Sequence, residues 1–126
     1  MVHSDCRFIF KIVYREPDLS STTIELSDLD KQSGFIHLST GEQIPQTCHL
    51  FFPDFNTLYI IKFSYDKLKT NNIIKWEPPA PDNDQLFPHL YGDLKTADVD
   101  HSMRAFRREQ GSTWIDVLSK EEWLKS

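Results

Sequence analysis

Residues 34–40 read Gly34-Phe35-Ile36-His37-Leu38-Ser39-Thr40. Apolar and β-branched positions around a single imidazole predict a short strand, and Gly34 permits a turn just before it. Strand alternation then places His37 and Ser39 on one face. The hydroxyls that follow predict a helix start. Ser39 or Thr40 suits an N-cap, with Glu42 and Gln43 three residues beyond them respectively, as a capping box requires. Ile44, Thr47, Cys48 and Phe51 continue at helical spacing, Pro45 falls near the tolerant first turn, and Pro53 ends the run. A histidine at a strand end beside a helix N-terminus is placed where an anion or a sugar oxygen is welcome. The plainer alternative is a half-buried imidazole bonded to a backbone carbonyl, with Ser39 only capping.

Working outward, Arg7 to Tyr14 predicts a first strand closed by Glu16-Pro17, and residues 17–32 are polar, with a short helical turn at Asp18-Leu19-Ser20-Ser21. Thr57–Phe63 and Ile73–Glu77 predict further strands, with one helical turn around Asp66-Lys67-Leu68 between them. Residues 78–84 are loop by composition. Leu86–Gly92 is interrupted by Pro88 and predicts an edge strand or ordered loop. Asp98–Arg108 fits either a helix or a last strand, and Ser119–Leu124 predicts a capped terminal helix. About five strands with two or three helices make an α+β domain spanning 1–126.

Composition narrows the function classes. Of 126 residues 39% are hydrophobic, roughly 49 side chains, enough for a single core. Net charge is 14 − 19 = −5, which argues against a general nucleic-acid binder. No apolar run reaches the roughly 18 residues of a membrane span, and Met1–Arg7 lacks the pattern of a secretory signal. Cys6 and Cys48 show no metal-type spacing and are expected to be free thiols. A cytoplasmic location is expected, with the nucleus left open, and a monomer is the default. Acidic and basic blocks alternate along the chain, as solvated edges do.

Two more segments carry chemistry. In Trp76-Glu77-Pro78, Trp76 is fit for the core, so Glu77 faces the other way at a strand end. It could bond ribose hydroxyls, stabilise a developing cation or act as a base, or it is an exposed strand-end glutamate. In Phe87-Pro88-His89-Leu90-Tyr91-Gly92, alternation gives Phe87, His89 and Tyr91 one face if the piece is extended: an aromatic stripe that holds an imidazole, or ordinary core.

GFIHLST, Glu42-Gln43, the strand ending in Trp76-Glu77-Pro78, LFPHLYG at 86–92 and the opening FKIVYR together resemble domain-of-unknown-function family 952, over about residues 8–106. The tail 107–126 lies outside the resemblance and is expected to pack on the domain, anchored by Trp114 and Trp123. The resemblance implies a bent, split, mixed β-sheet core with two or three flanking helices, similar to the ADP-ribosyltransferase fold, whose cleft holds nicotinamide adenine dinucleotide (NAD). By that likeness His37, Ser39 and Thr40 would hold a ribose. The transferase glutamate does not carry over cleanly, because Glu77 comes early in the chain and the stretch Met103–Phe106 has no such acid.

These readings converge on a cleft for NAD or a related nucleotide. Glu77 and His89 are its candidate catalytic groups, and His37, Ser39, Thr40 and Tyr91 its candidate binding groups. A non-catalytic module that senses a small nucleotide-like ligand is the alternative. A metal site of His37, His89 and Glu77 lacks supporting spacing, and no metal is expected.

Overall fold

The computed structural model describes residues 7–79, 81 and 83–125, without the side chains of 100–102. Cys6 therefore lies outside the described residues, as does the expectation that it is a free thiol. Strand β1 (Phe8–Val13), helix α1 (Asp28–Ser33), β2 (Ile36–His37), α2 (Ile44–Phe51), β3 (Thr57–Ser64), α3 (Tyr65–Asn71), β4 (Ile73–Glu77), β5 (Phe87–Tyr91), β6 (Val99–Arg107) and α4 (Trp114–Leu118) follow in order. Single 3₁₀ turns at Thr96–Asp98 and Glu122–Leu124 complete the elements.

Two three-stranded sheets form, ordered β1-β3-β6 and β2-β5-β4. All strand pairings are antiparallel, so the expected mixed sheet is corrected. The helix-bearing connections explain why. β1–α1–β2, β2–α2–β3 and β3–α3–β4 each lead from one sheet to the other, so none returns a parallel strand to the sheet it left. Where β2 ends, its chain runs on into the first sheet: Leu38 donates to the Pro88 carbonyl, and Ser39 and Phe10 exchange backbone hydrogen bonds of 3.0 and 2.8 Å. The β core is split and joined at that crossing.

Alternation along β1 and β3 buries both faces of the first sheet. Ile9, Ile61 and Phe63 meet Ile36 and Leu90 of the second sheet and Leu38 just beyond β2. Phe10, Ile12, Leu58 and Ile60 meet Ile44 and Cys48 of α2, Trp114 and Leu118 of α4, and Leu124 of the tail. The apolar core thus packs against one face of the second sheet. Among the described residues, no helix is long and apolar enough to cross a membrane.

Several local expectations are revised. The early helix lies at 28–33, where Ser27 and Asp30 form a reciprocal cap, while Asp18–Ser21 is a turn in which Ser20 and Ser21 donate to the Asp18 carboxylate. Four α-helices are present among the described residues, not two or three. The cap expected at Thr40 and Gln43 does form, with Thr40 N–H on Gln43 Oε1 and Gln43 N–H on Thr40 Oγ1, but it closes a separate turn before α2. The terminal helix sits earlier, at α4, capped by Thr113. Residues 87–91 are the central strand of their sheet, not its edge. Pro88 is tolerated there because the N–H it lacks would face Leu38, just past the end of the two-residue β2.

Candidate functional site

The free face of the second sheet is assembled by register. His37 of β2 lies directly across from His89 of β5, and on β4 Ile73, Lys75 and Glu77 lie across from Tyr91, His89 and Phe87. Their sequence neighbours Ile36, Leu90, Ile74 and Trp76 turn inward to the core. Trp76 is only partly buried, and its indole N–H donates to the Tyr65 hydroxyl at 3.1 Å. One face therefore gathers two imidazoles, a carboxylate, a phenol and an ammonium group.

Each imidazole is held by a carboxylate. His89 Nδ1 lies 2.8 Å from Glu77 Oε1, which also accepts from the Tyr91 hydroxyl at 2.8 Å. His37 Nδ1 lies 2.8 Å from Asp30 Oδ1, and the His37 backbone N–H donates to the same oxygen at 3.0 Å. The other Asp30 oxygen accepts from Lys11 Nζ at 2.6 Å, and that ammonium also donates to the His37 carbonyl at 3.2 Å. An ionised carboxylate only accepts, so Nδ1 carries the hydrogen in both rings. Neither Nε2 has a hydrogen-bond partner among the described residues. The two rings stand 5.3 Å apart at 64°.

Phe35 covers this pair. Gly34, at φ 81°, ends α1 in the left-handed conformation and delivers Phe35 onto the face. The Phe35 ring stacks on His89 at 4.1 Å and lies 4.7 Å from His37 and 5.3 Å from Tyr91. His89 is left only 3% exposed, although it belongs to the free face. Lys75 Nζ sits 4.8 Å from the centre of the Tyr91 ring.

These contacts set the charges. Burial lowers the His89 imidazole below its ordinary value, against the pull of Glu77, so its neutral form is favoured. The hydrogen bonds from His89 and Tyr91 hold Glu77 below the usual carboxylate range, and the same bond raises the Tyr91 phenol. Burial alone would raise Asp30, but its His37 hydrogen bonds and the Lys11 ammonium outweigh that and hold the carboxyl well below its usual range. A basic nitrogen on each ring, backed by a fixed carboxylate, is equipped to accept or deliver a proton.

The sequence segments that build this face fall within residues 15–102, which match the model of the family described as "Protein of unknown function (DUF952)". The chain belongs to that family. The crystal structure of protein CC0527 from Caulobacter crescentus is similar, with 28% identity, a TM-score of 0.70, and coverage of 84% of this chain and 91% of that one. The solution structure of CC0527 gives 27% identity and a TM-score of 0.66, covering 84% and 90%. No curated protein matches. The DUF952 match is narrower than the resemblance at both ends, and it excludes α4 and the tail.

Within this DUF952 chain, His37, Glu77, His89 and Tyr91 come together. Ser39 and Thr40 are buried at the crossing of the sheets, and the Thr40 hydroxyl is taken by Gln43. Glu77 binds the Nδ1 side of His89, which makes the two partners instead of co-ligands. Among the described residues, no group of three or more His, Cys, Asp or Glu could hold a metal ion. Sequence reasoning missed Asp30, Lys11 and Phe35. Phe35 stood in the quoted motif, and its i, i+2 spacing from His37 was the available signal.

Proposed function

We propose that the free face of the second sheet binds a nucleotide-like small molecule of the NAD or ADP-ribose class. The observation that carries this reading is the pair of carboxylate-anchored imidazoles with unpaired Nε2 atoms, set among Phe35, Tyr91 and Lys75. Aromatic faces suit a planar base, and imidazole and ammonium groups suit ribose oxygens and phosphates. Beside Tyr91 opens a depression of about 590 Å³ lined by Asn72, Ile73, Gly92 and Lys95, which gives an extended ligand room. The division of the β core into two sheets joined at the Leu38–Ser39 crossing is in keeping with the split core that the resemblance implies.

In this reading Glu77 and His89 are the catalytic groups. Breaking the bond between a base and ribose builds positive charge at the ribose carbon, and a carboxylate held ionised stabilises it. Water or an acceptor hydroxyl bonds to that carbon as the base leaves, and neutral His89 takes the proton it gives up. His37 and Tyr91 hold the ligand. The part given to Ser39 and Thr40 rests on the resemblance alone, since Thr40 already has its partner. A second reading, ligand binding without turnover, is favoured by the absence of glutamate from β6.

Thermal melting with NAD, ADP-ribose and nucleoside phosphates tests binding, and nicotinamide release from NAD tests turnover. The proposal expects a rise in melting temperature that His37→Ala and His89→Gln remove. Release of nicotinamide abolished by Glu77→Gln supports catalysis. Binding without release selects the second reading, and no shift with any nucleotide overturns both.

A further inference from the structure

The two Nε2 atoms point to a particular part of the ligand. We propose that His37 and His89 together take its phosphoryl group, and that the pair takes up a proton as the dianion binds. This rests on the reading of the free face as a ligand site, and it names the chemical group recognised there.

Geometry supplies the first support. Two imidazoles paired across neighbouring strands, 5.3 Å apart, leave one nitrogen each without a partner, and one of these rings is almost wholly buried. Neither Nε2 is sealed from solvent, and neither has a protein partner that a ligand would have to displace. The anchored Nδ1 atoms fix the rings, so the groups that remain are Nε2 acceptors when neutral and Nε2–H donors when protonated.

Charge supplies the second. The titratable and charged groups around the pair are Glu77 and Lys75 of β4, Tyr91 of β5, Asp30 of α1 and Lys11 of β1. Two carboxylates face two ammonium groups, so neutral imidazoles leave the cluster balanced. A dianion upsets that balance, and each proton the pair gains offsets half of the added charge while turning an acceptor into a charge-assisted donor. Phe35 stacks on His89 and shields that ring from water, which strengthens the bonds it makes. Burial holds His89 neutral in the free protein, so it has a proton to gain.

The test uses inorganic sulfate, a dianion throughout the neutral and mildly acid range, together with pyrophosphate and ADP-ribose. Imidazole nitrogen resonances of the full chain are followed during titration, and binding heats are compared in buffers of different ionisation enthalpy. The proposal expects both imidazoles to shift with sulfate, with net proton uptake and affinity rising about tenfold per pH unit on acidification for each proton gained. His37→Gln and His89→Gln should each weaken sulfate binding at least tenfold, and the exposed α2 variant Leu50→Gln, away from the site, should retain it. Unmoved imidazoles, or binding without proton uptake, overturn the proposal. If ADP-ribose binds while sulfate and pyrophosphate leave both rings unmoved, this inference falls and the nucleotide reading stands. If sulfate binds with proton uptake and no nucleotide binds more tightly, the reverse holds.

Discussion

At the scale of single residues, Asp30 is the hinge of the site. Its buried carboxylate serves the His37 imidazole and backbone, the Lys11 ammonium and the cap of α1 at once. Asp30→Asn leaves Lys11 buried without its counter-charge, and the expected loss is about 3–5 kcal/mol in urea unfolding. Replacing both, as Lys11→Met with Asp30→Asn, should recover much of it. The two acid effects separate by pH. His89 is lowered in the folded protein, so the unfolded chain binds more protons as pH falls through about 6.5, and stability should drop there. Asp30 is lowered from the carboxylate range, so its contribution persists until pH falls below about 4. Urea midpoints across both windows check this, and His89→Gln should flatten the upper one while leaving the Asp30 contribution to the lower one in place. Glu77, His89 and Tyr91 were legible because strand alternation states which neighbours share a face. Asp30 was not, since Lys11 lies 19 residues away and nothing in a Ser- and Asp-rich stretch marks one acid as buried.

At the scale of elements, legibility followed length and apolar content. β1, β3 and β4 were plain because runs such as Leu58-Tyr59-Ile60-Ile61 carry their own signal. α1 and α4 span six and five residues and depend on their caps and on burial, which local propensity does not record. β5 was taken for an edge because Pro88 usually means one, and the shortness of β2 is what makes the exception. The docking of the tail through Trp114 and Trp123 was legible from its two tryptophans, but what it covers was not. Leu124 is 4% exposed, and its carbonyl oxygen would lie 1.7 Å from a Cβ placed on Gly41. Lys62 reaches the same segment, donating to the Trp123 carbonyl at 2.9 Å. Leu124→Ala should therefore destabilise by about 2–5 kcal/mol. Gly41→Ala should also destabilise, by forcing the tail off its seat. Thermal melting of both variants checks the docking, and an unchanged melting temperature in either would remove the tail from the core.

At the scale of the whole molecule, the division of labour between the sheets defines the site. The first sheet spends both faces on packing, while the second spends one and keeps the other for His37, Lys75, Glu77, His89 and Tyr91. The α+β class could be read from the chain. The split into two antiparallel sheets could not, because it depends on which strands the helices connect. A ligand that uses the free face should perturb it and little else. The direct measurement is a titration of backbone amide resonances with ADP-ribose, mapped along the chain. The account predicts shifts concentrated at residues 35–37, 75–77 and 87–92, extending to Asn72 and Lys95 beside Tyr91. No shifts at saturating ligand, or shifts gathered instead around Asn56, Arg108 and Ser112 at the far end of the first sheet, would contradict it.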